Sequence, residues 1–437
     1  SVDISHTEQF VDELLSKEAH DRPSDDVSPE ELTMELPEWY DEEQFNRGRK
    51  FYSEFCFSFS SSMLMGLVAV FSVPSILRIL VNTRRSNSTY TAYRRYLSTL
   101  LHTVSWFEHE LKPNSTSWRS LYTVRSRHLR AGRSAKAQGL GVVSQRDLAL
   151  TQFGFIGFSM LKADCFGLRQ LQDGDWDAYI HTWRVIGHMI GLEDRYNICR
   201  KTAEETRDVC QLLLERVFTP CLENVPEHFE HAARVMLDGM WCVNPTVDIE
   251  SNIWYCRYLA EVPGYIYTEN DRITLQRKLK KQLEGKPLAT GIPSSSLMQK
   301  PALDGLPDLP PRLLYYKDYS SLEASPAHKQ LNSKSKYKLF LLNLYMYLYG
   351  STFGRWYFNM NFKFSLYLMR YFPYLAFFRF GIKASLVDIF QEDPKDDTKP
   401  KLNSEYKDKN DLAWYEWLFA IFCSSRDYVF VLLQSTI

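Results

Sequence analysis

Leu121-Tyr-Thr-Val-Arg125-Ser-Arg-His128 decides how this chain is read. Leu121 and Val124 lie seven and four residues before His128, so on a helix all three share one apolar face. Arg125 sits one turn before the histidine, and Arg127 and Arg130 flank it. The same helical spacing recurs outward from this stretch, over 51–82, 90–110, 117–131, 145–168, 174–191, 199–217, 226–240 and 251–261. Lys112-Pro, Gly132 and Pro220 mark breaks. Strand-like alternation is scarce. The pattern predicts an all-α protein, with one large helical domain over 37–262 and N- and C-terminal helical extensions.

The 437 residues are ample for such a core. Residues 1–36 read as a polar, acidic arm with a short amphipathic helix near Phe10–Leu15. Residues 263–336 read as a linker with loops, because Gly and Pro crowd together over 284–312. Residues 337–437 form an aromatic-rich helical region, in which 337–382 suits an amphipathic or pocket-covering helix pair and hence membrane-surface association. The charged stretch 391–411 is expected to be mobile. Lys and Arg number 52 against 53 Asp and Glu, which argues against a nucleic-acid partner. Phe55–Leu77 carries no charge and has the length of a membrane span, but its dense apolar part is only Met63–Val73, so a buried helix is favoured. The eight scattered cysteines form no CxxC, which leaves buried thiols or one or two bridges within Cys199–Cys256. Asn87-Ser-Thr89 and Asn114-Ser-Thr116 are glycosylation sequons only if this region meets a secretory lumen. The first residues have no signal-peptide pattern and Ser1 is no initiator, so a processed chain is expected.

A histidine on an apolar helix face beside guanidiniums has the makings of an axial haem ligand with propionate partners. The alternative is a surface helix whose His and Arg are solvated. His181 and His188 share one face of the 174–191 helix. Glu227-His-Phe-Glu-His231 has no second copy, which a di-iron site would need. HExxH, GxGxxG, GxxxxGK and GxSxG are all absent, so zinc proteases, nucleotide-binding loops and the common hydrolase elbow lack support.

Three stretches, taken in order, carry a family resemblance. They are Thr123-Val-Arg125-Ser-Arg-His128, then Ser144-Gln-Arg-Asp147-Leu-Ala-Leu-Thr151-Gln-Phe-Gly-Phe155, then Tyr179-Ile-His-Thr-Trp183-Arg-Val-Ile-Gly187-His-Met-Ile-Gly191. Over about residues 40–262 the chain resembles the catalytic domain of latex-clearing proteins (rubber oxygenases), shared with the ER-bound oxygenase of mycophenolic acid synthesis. The resemblance implies an all-helical domain enclosing one haem b, with His128 on the iron and Arg125 of the Arg-x-x-His element as a cofactor-binding residue. It also implies a distal Arg-x-x-Lys-Thr element, matched by Arg95 and Thr99 as catalytic residues. Ser98 stands where the family has its lysine, which implies water or an open position opposite His128. The family's acidic base has no aligned counterpart. The implied activity is that of a haem-dependent oxygenase attacking an isoprenoid or lipid C=C bond with O2. The competing readings are a haem or lipid carrier without turnover and a non-haem protein of membrane surfaces. The family has both secreted and ER-bound members, so the resemblance does not fix the location, and an ER- or membrane-associated or secretory one is preferred to the cytoplasm.

Overall fold

A computed structural model describes residues 4–262 and 321–406. Every regular element among them is helical, and the one β contact is an isolated bridge between Pro23 and Ser144. The arm holds α1 (Ile4–Leu14) and α2 (Lys17–Asp21). The central bundle runs through α3 (Glu42–Glu54), α4 (Cys56–Val70), α5 (Pro74–Asn82), α6 (Thr89–Glu108), α7 (Thr116–Ala137), α8 (Gln145–Leu161) and α9 (Asp175–Met189). It continues with α10 (Ala203–Leu213), α11 (Thr219–Glu223), α12 (Phe229–Met240) and α13 (Ile249–Leu259). After the gap come α14 (Pro326–Lys329), α15 (Ser333–Tyr349), α16 (Thr352–Tyr371), α17 (Tyr374–Phe380) and α18 (Ile382–Ser385).

Local chemistry sets the helix starts. Ser88 and Thr91 make a reciprocal capping box at the head of α6. Ser115 accepts the Trp118 N–H at 3.1 Å before α7, and Ser144 accepts the Asp147 N–H at 3.1 Å before α8. The stretch read as one helical segment over 51–82 is three helices. α3 and α4 meet at Phe55 with a bend of 90°. Helix breaks leave backbone groups without partners, and here Asn359 of α16 supplies them. Its side-chain amide donates to the Glu54 carbonyl at 2.6 Å, and its oxygen accepts the Phe57 N–H at 3.2 Å. The C-terminal helices are thereby pinned to the bundle.

The uncharged stretch with the length of a membrane span is mostly core. Met65, Val68 and Ala69 are buried, and Ser58 donates to the Phe166 carbonyl at 2.8 Å. Among the described residues no single helix is long and apolar enough to cross a membrane. α4 crosses α8 with backbones in contact, because Gly66 and Gly154 meet there. A Cβ on Gly66 would lie 1.8 Å from the Gly154 carbonyl oxygen.

The seven described cysteines are free thiols, six of them buried. Asn87 of the first sequon is also buried and donates to the Val81 carbonyl at 3.2 Å. The linker expected before Ser321 and the apolar tail beyond Tyr406 lie outside the described residues. The charged stretch expected to be mobile behaves differently from that expectation over 391–406. It runs largely without regular structure, but its side chains are tied to the bundle: Glu392 pairs with Arg85 and with Arg130 (2.8 Å), and Asp396 accepts the Thr91 hydroxyl at 2.9 Å. We refer to residues 388–397 as the strap.

Candidate functional site

A cavity of about 1100 Å³ lies inside the bundle, walled by α4–α9 and roofed by α15, α16 and the strap. Its volume sits just above the range usual for small-molecule and cofactor sites, about 300–1000 Å³. The walls are mostly apolar. Phe71, Phe155, Trp183 and Ile186 are typical, and Trp183 is held by Phe155 at 4.8 Å and Phe107 at 5.7 Å between ring centroids.

α7 brings His128 to this wall together with Val124, Arg127, Arg130 and Ala131. Its Nδ1 is buried without a hydrogen-bond partner. A buried polar atom in that condition calls for an explanation. Burial, then the nearby Arg95 guanidinium, hold the imidazolium down and lower its pKa to about 4, although Asp25 pulls the other way. His128 is therefore neutral near pH 7, the form in which an imidazole binds a metal.

α6 brings Arg95, Ser98 and Thr99 to the same cavity. Arg95 donates one amine to the Thr83 hydroxyl at 2.8 Å and keeps the rest of its guanidinium for the cavity. The Thr99 hydroxyl donates to the Arg95 carbonyl at 3.0 Å, as threonines in helices do. Ser98 is buried and its Oγ has no partner. Three of the four residues singled out from the sequence thus line one space. The fourth, Arg125, departs from expectation and is absent from the cavity wall. Its guanidinium forks onto Asp25, with Nε 3.0 Å from Oδ2, and Asp25 is nearly sealed from solvent. A buried carboxylate holds its cation strongly, so Arg125 fastens the N-terminal arm to α7. Besides Arg95, the arginines that reach the cavity are Arg84, Arg85, Arg127 and Arg130.

Two further residues escaped sequence reasoning. His102 lines the cavity beside His128, but both of its nitrogens are engaged. Nδ1 lies 2.7 Å from Ser120 Oγ, which also accepts the Trp106 indole N–H at 2.8 Å, and Nε2 lies 3.3 Å from Arg127 Nη1. Because Arg127 can only donate, the consistent tautomer has Nδ1–H donating to Ser120 and Nε2 accepting. Burial, then Arg127, lower the His102 pKa to about 3. His102 is thus a neutral prop for Arg127, and no sequence motif marks it. Asp147, in the first turn of α8, is the second. It is buried on the cavity wall, accepts the Ser75 hydroxyl at 2.7 Å, and has one oxygen without a partner. Burial raises its pKa. In sequence it reads only as a favourable charge at a helix start.

The other histidines are used elsewhere. His181 accepts the Asp41 N–H at 3.1 Å, and His188 stands edge-on to Trp39 at 6.0 Å, so both hold the chain entering α3. His231 is occupied by Tyr406 and the Asn87 carbonyl. Among the described residues, no three His, Cys, Asp or Glu side chains converge as a metal cage. A single axial ligand needs no such cage.

Comparison with known proteins finds similarity over the helices that wall this cavity. Residues 56–253 match the family model described as "ER-bound oxygenase mpaB/B'/Rubber oxygenase, catalytic domain". The rubber oxygenase of Streptomyces sp. (strain K30) is 32% identical over 85 residues, which is 20% of this chain and 19% of that protein. The chain therefore matches only about a fifth of the length of that relative. The solved structure of latex clearing protein in the closed state aligns over 59% of this chain and 71% of its own, with 18% identity and a TM-score of 0.39. The family match thus covers residues 56–253, somewhat less than half of the chain, and over that stretch the chain is similar to the catalytic domain of the ER-bound oxygenase mpaB/B′ and rubber oxygenase family.

Proposed function

We propose that this protein is a haem b-dependent oxygenase that uses O2 to oxidise or cleave a C=C bond of an isoprenoid or other apolar lipid chain. The observation that carries the reading is His128, a neutral histidine with an unpartnered buried Nδ1 on the wall of a large apolar cavity. The donor set suits the cofactor. His128 would hold the iron, and Arg127, with Arg85 and Arg130 that also pair with Glu392, would offer cations to the propionates. When bound, haem b supplies the iron at which dioxygen is activated.

The remaining work falls to the chain itself. The apolar wall excludes water and holds an alkene by burial alone, which fits a substrate without polar handles. Arg95, braced by Thr83, offers a fixed positive charge where negative charge develops on oxygen. Neither Ser98 nor Thr99 carries a charge, so neither would compete strongly for a metal held in the cavity. Asp147 has a raised pKa and an unpartnered oxygen, and it is the acidic group on the wall suited to holding a proton.

An absorption spectrum of the purified, haem-supplemented protein tests the cofactor. A Soret band is expected, lost or strongly reduced in His128→Ala and retained in His188→Ala. A band that survives His128→Ala, or disappears in His188→Ala, overturns the assignment. A second reading, a haem or lipid carrier without turnover, draws on Ser98 in place of the family lysine. Oxygen consumption with geranylgeranyl compounds separates the two.

A further inference from the structure

Helices α15–α18 leave their apolar residues outside. Among the described residues, 14 of the 18 large hydrophobics that are exposed fall between Tyr337 and Leu386. On α16 they form a stripe at spacings of three or four: Phe353, Trp356, Met360, Phe364, Tyr367 and Tyr371. The stripe runs the length of a 20-residue helix, about 30 Å at 1.5 Å per residue. Phe378, at 88% exposure, and Ile382, at 67%, extend it along α17 and α18. A soluble surface scatters such residues singly and does not gather them into a band.

The charge of the same segment is one-sided. From Ala324 to Val387 there is no Asp or Glu, against nine Lys and Arg. The rest of the chain is net negative, with all 53 acidic residues against 43 basic ones. Part of the positive charge is used inward, where Arg370 meets Glu108 at 2.7 Å and Arg379 meets Asp238 at 2.6 Å. Lys363 and Lys383 stay exposed beside the aromatic band. A segment that is aromatic, contributes no acid of its own and keeps exposed lysines fits an apolar layer bounded by negative charge.

We propose that α15–α18 dock on the surface of an anionic lipid bilayer, with the α16 stripe and Phe378 inserted at the level of the headgroups. A second copy of the chain is a poorer occupant. A two-fold contact would set Lys363 and Lys383 of this segment against their own copies and bring like charges together. The cavity supplies an independent reason. Leu348 and Phe364 belong to the exposed band and also line the cavity, so the apolar face continues into the apolar interior. A docked molecule would open its cavity toward the acyl chains. Docking itself requires no haem, and it rests on the proposed function only for the identity of what enters.

Co-sedimentation of the full chain with vesicles tests this, with and without added haem. Wild type is expected to bind phosphatidylcholine–phosphatidylserine vesicles, to bind pure phosphatidylcholine more weakly, and to be released by salt. The triple change Phe353→Ser, Trp356→Ser and Phe378→Ser should lower partitioning by about tenfold or more, with circular dichroism unchanged. Lys363→Gln with Lys383→Gln should reduce the preference for phosphatidylserine, and it decides the matter if the triple variant fails to fold. Absence of vesicle binding overturns the proposal. So does binding that these variants leave intact, or a concentration-dependent dimer in place of vesicle binding that the triple variant abolishes.

Discussion

Trp183 on α9 and Trp356 on α16 have opposite fates. Trp183 is 2% exposed, packed between Phe155, Phe107 and Trp106, and forms part of the cavity wall. Trp356 is 59% exposed and touches Phe353 at 5.9 Å along the outer face of α16. In the central bundle, aromatic rings are drawn inward by two-sided packing of α3, α4, α6, α8 and α9. In α15–α18 only one side of each helix meets the bundle. The difference shows that aromatic richness in this chain serves two ends, enclosure in one region and display in the other. Each end predicts a different response to substitution.

The largest response should come from the enclosed set. Trp183→Ala removes an indole whose neighbours cannot close the space, because they already wall a cavity. Such changes cost about 3–5 kcal/mol. Urea unfolding of the variant should show that loss through a lower midpoint at unchanged slope. A loss below about 1 kcal/mol would mean that the cavity wall is not the packed structure described.

A smaller effect separates the regions by pH. His102 is buried in the enclosed region, its pKa lowered to about 3 by burial and Arg127. Unfolded, it would titrate near 6.5. Above that pH it is neutral in both states and contributes no dependence. As pH falls below about 6.5 the unfolded chain takes up a proton that the folded one refuses, so stability declines until the folded pKa is reached. The slope from this one group is at most about 1.4 kcal/mol per pH unit. His102→Gln should flatten the acid limb of a plot of thermal midpoint against pH. An unchanged limb would place the histidine in a wetter setting.

The helical architecture was legible because amphipathic period and capping residues agree locally. The segment expected over 90–110 is α6 from Thr89 to Glu108, started by its Ser88 box, and 174–191 is α9 from Asp175 to Met189. The segment over 51–82 was legible as helical but not as three helices, since the bend at Phe55 is supported by Asn359 some three hundred residues later. Distance along the chain also hid the surroundings of His128. Its place on an apolar face follows from Leu121 and Val124. Arg125 turns away because Asp25, a hundred residues earlier, takes it. The strap looks mobile in sequence because its charges pair with Arg84, Arg85 and Arg130, far upstream. Periodicity reports which side of a helix is apolar. It does not report whether protein or something else will cover that side.

The displayed side carries the smallest predicted effect. Trp356→Ser takes a large apolar ring from water and puts a small polar group in its place, without opening a hole or stranding a buried partner. The hydrophobic effect counts only area that folding removes from water, and the outer part of this ring is wet in the folded chain. Stability in buffer should therefore change by no more than about 0.5 kcal/mol in either direction. Serine is a weaker helix former than many residues, but the difference is a few tenths of a kcal/mol at one site of a 20-residue helix. Chemical unfolding of the variant beside wild type measures this directly. A loss near 3 kcal/mol would mean that Trp356 is covered within the folded chain, and the contrast between enclosure and display would fail at the residue that states it most clearly.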